Sequence, residues 1–175
     1  MPKGKKRHKK GTAGVPHRAS KRTSLGGLPF SPGLPSILPF TKVVSDAAVI
    51  AVKIQGASSV PDGEYAFFDA YCADPHCDCR VAYLTVWSEQ ADEFLAYISV
   101  GWEALSFYEQ WMKAPRLPGM GPVDIKRPSL MPLMPQSRLA QPLLKVLRSY
   151  LEDPEHLELF TARYFQFKAQ LAQKS

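Results

Sequence analysis

The sequence lacks long apolar runs and has few cysteines. No stretch of about 18 apolar residues occurs in the 175-residue chain, which argues against a transmembrane helix. Pro29, Pro32, Pro35 and Pro39 interrupt the apolar residues after the basic start, so every run is shorter than the roughly 7 to 15 residues of a secretory signal core. Three cysteines in one short cluster fit a reducing compartment better than a disulfide scaffold. We therefore expect a cytoplasmic protein.

Several motifs of well-known enzymes are also missing. The chain has neither a P-loop nor a G-x-G-x-x-G sequence, the usual signatures of nucleotide phosphate binding. Zinc deaminases carry H-x-E followed by P-C-x-x-C, whereas the stretch from Pro75 to Cys79 has a different spacing and no H-x-E precedes it. These motifs therefore assign no nucleotide-binding or deaminase activity.

Positive charge is concentrated at the start of the chain. Nine of the 22 Lys and Arg residues lie within residues 1–22, which contain no acidic residue. The rest of the chain has 13 basic and 16 acidic residues, a formal charge of −3. We expect residues 1–24, the basic tail, to be disordered, because they have too little apolar content to fold and too much like charge to collapse. The tail is either an arm that contacts nucleic acid or a ribonucleoprotein through phosphates, or a solubilising segment.

The remaining sequence divides into a linker and one domain. Residues 25–40 are rich in Pro, Gly and Ser, which predicts an extended linker whose apolar residues can pack on the domain surface. Residues 41–171 predict a single α+β domain. The length of the chain and its 45% hydrophobic content are sufficient for a core.

Strand-like runs follow the linker. Residues 43–55 are rich in β-branched side chains, which favours a strand, although their alanines and imperfect alternation leave a helix open. Residues 65–72, 80–88 and 93–100 are aromatic and β-branched and are separated by polar turns. This pattern predicts an antiparallel meander within a sheet of three or four strands. Both faces of the middle run are fairly apolar, so helices must cover at least one of them.

About three helices are predicted to cover that sheet. Aromatic residues at helical spacing indicate a first helix over residues 102–113. A second begins near Pro142 and runs through Tyr150, and a third begins at Asp153-Pro154-Glu155, where an N-cap residue, a first-turn proline and an acid occur together. Residues 114–136 contain six prolines and predict a long connection.

All three cysteines lie in residues 71–80, the cysteine knuckle. Cys72, Cys77 and Cys79 form a C-x4-C-x-C pattern, and three thiolates within one turn favour zinc or an iron–sulfur cluster over magnesium or calcium. A tetrahedral zinc needs a fourth ligand, for which His76, Asp78, His156 and water are the candidates. Two other interpretations stay open: reduced thiols without a ligand, and a redox pair or sensor thiol.

The sequence Tyr-Cys-Ala-Asp-Pro-His-Cys-Asp-Cys-Arg of the knuckle, with Gly101-Trp102-Glu103 and Pro135-Gln136-Ser137 downstream, resembles a family of uncharacterised bacterial proteins. That family has a Tyr-Cys-x-Asp-Pro-x-Cys-Asp-Cys-Arg knuckle followed by a hydrophobic strand, a turn and a second strand. Some members carry a further zinc motif of the SEC-C type, which residues 81–175 lack because they contain no cysteine. The resemblance implies a fold unit and no reaction.

Two functional hypotheses follow from these features. In the first, the domain is a non-catalytic binding module in which zinc, held by Cys72, Cys77 and Cys79, staples the knuckle, while the basic tail contacts nucleic acid or a ribonucleoprotein. In the second, the same cysteines serve a metal- or thiol-dependent enzyme with residues 114–136 as a lid.

Overall fold

The computed structural model describes residues 36–112 and 121–174 and confirms the predicted α+β class. The described residues form six strands and five helices, more than the three or four strands and about three helices expected from the sequence. The strands are β1 (Ile37–Pro39), β2 (Ile50–Ile54), β3 (Gly63–Cys72), β4 (Val81–Ser88), β5 (Glu93–Gly101) and β6 (Ser129–Leu130). The helices are α1 (Phe40–Val43), α2 (Leu105–Trp111), α3 (Pro122–Lys126), α4 (Ala140–Tyr150) and α5 (Pro154–Lys174).

The strands form one antiparallel sheet around the meander β3-β4-β5. Strands β1 and β2 both pair with β3, β1 beside its end at Cys72 and β2 beside its beginning. Strand β6 pairs with the other side of the meander, at β5. The meander matches the prediction because β-branched and aromatic residues fill all three strands, and short polar turns separate them.

Both faces of the sheet are covered. Side chains of β3 alternate between two cores, because successive residues of a strand point to opposite faces. Tyr71 belongs to the larger core, which contains the apolar side chains of α4 and α5, whereas Cys72 belongs to the smaller core, which contains residues of α2 and α3. The apolar character of both faces of β4 is explained by this two-sided packing.

The proline-rich regions contain short elements that the sequence did not predict. Residues 37–39 of the expected linker form β1, and Phe40 begins α1. The stretch 43–55, for which a strand and a helix were both open, contains β2. The strand that its β-branched residues favour is therefore the element that forms. The long connection 114–136 contains α3, with Pro122 in its first turn, and β6. The predicted basic tail and residues 25–35 of the linker lie outside the described residues.

In the described ranges 36–112 and 121–174, no helix has the length and apolar character needed to cross a membrane.

Candidate metal site

The cysteine knuckle connects β3 to β4 and is folded by a local turn. The backbone N–H of His76 donates to Oδ1 of Asp74 at 2.8 Å, and the N–H of Cys77 donates to the carbonyl oxygen of Asp74 at 3.2 Å. Asn and Asp favour such turns because their short side chains accept hydrogen bonds from the backbone two residues on. The turn reverses the chain after Cys72 and brings Cys77 back toward it.

This reversal brings the three sulfur atoms together. The Sγ atoms of Cys72, Cys77 and Cys79 all lie within 4.8 Å of one another. All three cysteines are free thiols, of which Cys72 and Cys79 are buried and Cys77 is half-buried. Zn–S bonds of about 2.3 Å place the sulfurs of a tetrahedral site about 3.8 Å apart, so a small contraction of this arrangement suffices for metal binding.

The three thiols interact strongly, and their pKa values diverge. The pKa of Cys77 is lowered far below its usual value, chiefly because the side chains of Cys72 and Cys79 hydrogen-bond to it. Hydrogen bonds with Cys72 and Cys77, followed by burial, raise the pKa of Cys79 well above its usual value. The pKa of Cys72 is raised, first by its hydrogen bond with Cys77. Three thiolates at this spacing repel one another, so deprotonation of all three needs a cation to offset that repulsion.

Backbone groups of the knuckle also act on the thiol pKa values. The backbone at Asp74 acts to lower the pKa of Cys72, and the backbone at Cys79 acts to lower the pKa of Cys77. In both cases the backbone group lies two residues after the cysteine. Backbone hydrogen bonds stabilise the charged form of an acid, so the backbone is arranged to favour thiolates.

Helix α5 holds the knuckle from the other side. The Lys168 ammonium donates to the carbonyl oxygens of Asp74 and Cys77, at 2.8 Å each. One helical turn earlier, the hydroxyl of Tyr164 donates to Oδ1 of Asp78 at 3.1 Å. Residues four apart lie on one helix face, so α5 contacts the knuckle on both sides of Cys77.

A second set of contacts fixes the exit of the knuckle into β4. The Arg80 guanidinium forms ion pairs with Asp78 and Glu103, each at 2.9 Å. The Tyr108 hydroxyl donates to the carbonyl oxygen of Arg80 at 2.9 Å and accepts the N–H of Glu103 at 3.1 Å. Gly101 makes room for this arrangement, since a Cβ there would lie 2.5 Å from the Tyr108 hydroxyl. Arg80 therefore links the knuckle, through Asp78, to Glu103 just beyond β5.

The proposed fourth ligands are not brought to the sulfurs. Within the described residues, no histidine or acidic side chain joins the three cysteines in a group compact enough to hold a metal. His76 is exposed, and the Asp78 carboxylate is occupied by Arg80 and Tyr164. His156 stacks on Tyr150 with ring centroids 3.5 Å apart, and its Nδ1 lies 2.7 Å from the Tyr150 carbonyl oxygen.

Three residues that hydrogen-bond to the knuckle were not predicted from the sequence to do so: Tyr108, Tyr164 and Lys168. Lys168 and Tyr108 are far from the cysteines in sequence, and Tyr164 is indistinguishable there from the other apolar residues of its helix. Only the i, i+4 spacing of Tyr164 and Lys168 hints that they share one helix face. The face that meets the knuckle is set by tertiary packing.

The chain matches no protein-family model, no curated protein and no solved structure.

Proposed function

We propose that Cys72, Cys77 and Cys79 bind one zinc ion that staples the cysteine knuckle, and that the domain is a non-catalytic binding module. The observation that carries this function is the convergence of three sulfurs within 4.8 Å on a turn held by α5. Thiolate ligands select zinc, copper(I) or iron–sulfur clusters, and zinc is the common occupant of sites that serve structure. A fourth ligand with an oxygen or nitrogen donor completes the tetrahedron.

Zinc would stabilise the knuckle by binding the three thiolates, which otherwise repel one another. Three thiolates held within 4.8 Å repel one another, while a divalent cation between them neutralises most of that charge. Binding of a metal to the folded state adds directly to the free energy of unfolding. The resemblance to the bacterial knuckle family remains a prediction; it implies a fold unit and adds no reaction.

The metal is tested by elemental analysis of the full-length protein purified without chelator. We expect about one zinc per chain, no inorganic sulfide, and thiols that react only after chelation. X-ray absorption at the zinc edge should show three sulfur neighbours and one oxygen or nitrogen. Replacing Cys79 with Ala should abolish the zinc content. A chain without metal, in which three thiols react directly, would overturn zinc binding and favour the thiol-dependent alternative.

We further propose that the basic tail brings nucleic acid or a ribonucleoprotein to this domain. Its support is the density of charge, nine Lys and Arg among residues 1–22 with no acid. The test compares the full-length protein with a variant in which Lys5, Lys6, Arg7, Lys9 and Lys10 are replaced by Gln. Affinity for a 12-nucleotide RNA should fall and its salt dependence should flatten in the variant. Equal affinities would remove the tail from the function without affecting the zinc site.

A further inference from the structure

The described part of the protein contains a groove at the end of β5, away from the direct contacts of the cysteine knuckle. Its volume is about 490 Å³, within the range of roughly 300–1,000 Å³ that small-molecule sites occupy. The walls come from three places in the sequence: the end of β5, the end of α3 with the two residues after it, and the α4–α5 turn with the adjoining turns of both helices. Nothing in the proposed zinc function uses it.

Basic side chains converge on this groove. Lys126, Arg127 and Arg148 line it, whereas Glu152 is the only acid on its lining. The chain after residue 22 has 16 acidic and 13 basic residues, a net negative charge. A groove lined by three basic residues and one acidic residue is therefore unusual for this part of the chain. Cations gathered from separate elements around one groove raise the local concentration of anions.

Two of the three cations are already held in position, and the third is free to bind. Nε and Nη2 of Arg148 donate to the carbonyl oxygen of Pro128 at 3.0 and 2.8 Å, and Nζ of Lys126 donates to that of Trp102 at 3.3 Å. Among the described residues, the exposed guanidinium of Arg127 has no hydrogen-bond or ion-pair partner. A carbonyl oxygen is uncharged, so these hydrogen bonds leave the positive charges of Arg148 and Lys126 in place. All three cations therefore remain available to an anion.

The rest of the lining indicates what accompanies the anion. Val100, Leu151 and Leu157 form an apolar part of the wall beside the cations. A ligand that satisfies both parts has a phosphate group, which guanidinium groups bind with paired hydrogen bonds, and an organic body. We propose that this groove binds the phosphate of a nucleotide, either a free mononucleotide or one unit of a polynucleotide.

The binding test uses ¹⁵N-labelled full-length protein, whose mass of 19.5 kDa suits two-dimensional NMR. Adenosine monophosphate and a 12-nucleotide single-stranded RNA are titrated separately at constant ionic strength. Both titrations use the variant with five Gln residues in the basic tail, so that the tail does not mask the groove. We expect saturable shifts of the Gly101, Arg127 and Leu151 amide signals.

Matched variants decide whether the groove is responsible. Arg127→Gln breaks no side-chain hydrogen bond or ion pair within the described residues and should weaken binding at least fivefold without changing the melting temperature. Lys145→Gln removes an exposed charge from α4 outside the groove and should change binding less than twofold. Shifts with adenosine monophosphate identify a free nucleotide as ligand, and shifts with RNA alone identify a polynucleotide. The site is overturned if neither probe shifts these signals, or if the two variants weaken binding equally.

Discussion

Arg163 and Asp69 form a bidentate ion pair inside the protein, with Nε 2.7 Å from Oδ2 and Nη2 2.8 Å from Oδ1. Both side chains are largely buried, with 12% and 2% exposure. The pair joins α5 to β3, and the hydroxyl of Tyr71 donates to the same carboxylate at 2.9 Å. The helix that supports the cysteine knuckle is therefore fixed to the strand from which the knuckle begins.

Removing one member of this pair should be strongly destabilising. Arg163→Met leaves the Asp69 carboxylate buried without its cation, and breaking a buried ion pair in this way costs about 3–5 kcal/mol. Urea unfolding followed by circular dichroism measures the change in free energy of unfolding. Adding Asp69→Asn to the variant should recover part of the loss, because the unpaired charge disappears. Arg138→Met, at an exposed position, is the control and should cost less than about 0.5 kcal/mol. A cost below about 1 kcal/mol for Arg163→Met alone would contradict this role of the pair.

Lys168 should tune the metal affinity without binding the metal. Lys168→Met removes both hydrogen bonds to the carbonyl oxygens of the knuckle, and loss of such outer partners typically weakens metal binding about 10- to 100-fold. Competition with a chromophoric zinc chelator measures the dissociation constant. Lys53→Met, an exposed position on β2, should leave it unchanged. Identical dissociation constants for the Lys168 variant and the parent protein would show that α5 does not position the sulfurs.

Zinc should raise the thermal stability of the parent protein. At a free zinc concentration about 100 times the dissociation constant, binding to the folded state adds about 2.7 kcal/mol. For a protein of this size that corresponds to a rise in melting temperature of roughly 5–10 °C. Differential scanning calorimetry with and without chelator measures the shift. Cys79→Ala should show the same melting temperature in both conditions, and an equal zinc-dependent shift in that variant would place the metal elsewhere.

Gly101 should not tolerate even a methyl group. A Cβ at this position would lie 2.5 Å from the Tyr108 hydroxyl oxygen and 2.6 Å from the Ile125 carbonyl oxygen. Overpacking of this kind costs about 1–3 kcal/mol, so Gly101→Ala should lower the free energy of unfolding by that amount. Gly121→Ala is the control, because the nearest atom to its Cβ is 3.5 Å away. If the two variants have similar free energies of unfolding, the neighbours of Gly101 move aside at little cost and the prediction is wrong.

The central sheet was predictable because its signal is local. Residues of β3, β4 and β5 carry aromatic and β-branched side chains over eight to ten positions, and polar turns mark their ends. Strand β1 was not predictable, because Pro39 and the neighbouring prolines are typical of a linker. Proline is tolerated on edge strands, where one side of the backbone makes no ladder hydrogen bonds, and among the described strands β1 pairs only with β3.

The candidate site was predictable only in part, for a similar reason. The spacing of Cys72, Cys77 and Cys79 is local and identifies the thiol cluster directly. The contacts of Lys168 with the knuckle span more than 90 residues, and their existence depends on how α5 is rotated on the sheet. His156 illustrates the opposite error, since its residue type suits a metal ligand while the fold places it on Tyr150.

The pairing of β1 with β3 places the first described residues beside the cysteine knuckle. Ser36 accepts the N–H of Ala73 at 2.6 Å, and Ile37 lies opposite Cys72. Arg22 precedes Ser36 by 14 residues, which span at most about 50 Å when fully extended. The other end of the tail, Lys3, lies 33 residues before Ser36, so a ligand bound anywhere on the tail is held within about 120 Å of Ser36. Such tethering raises the effective concentration of the ligand at the domain, up to the millimolar range for short tethers. A second contact between the same ligand and the surface around the knuckle would therefore be occupied even if its dissociation constant in free solution were as weak as about a millimolar.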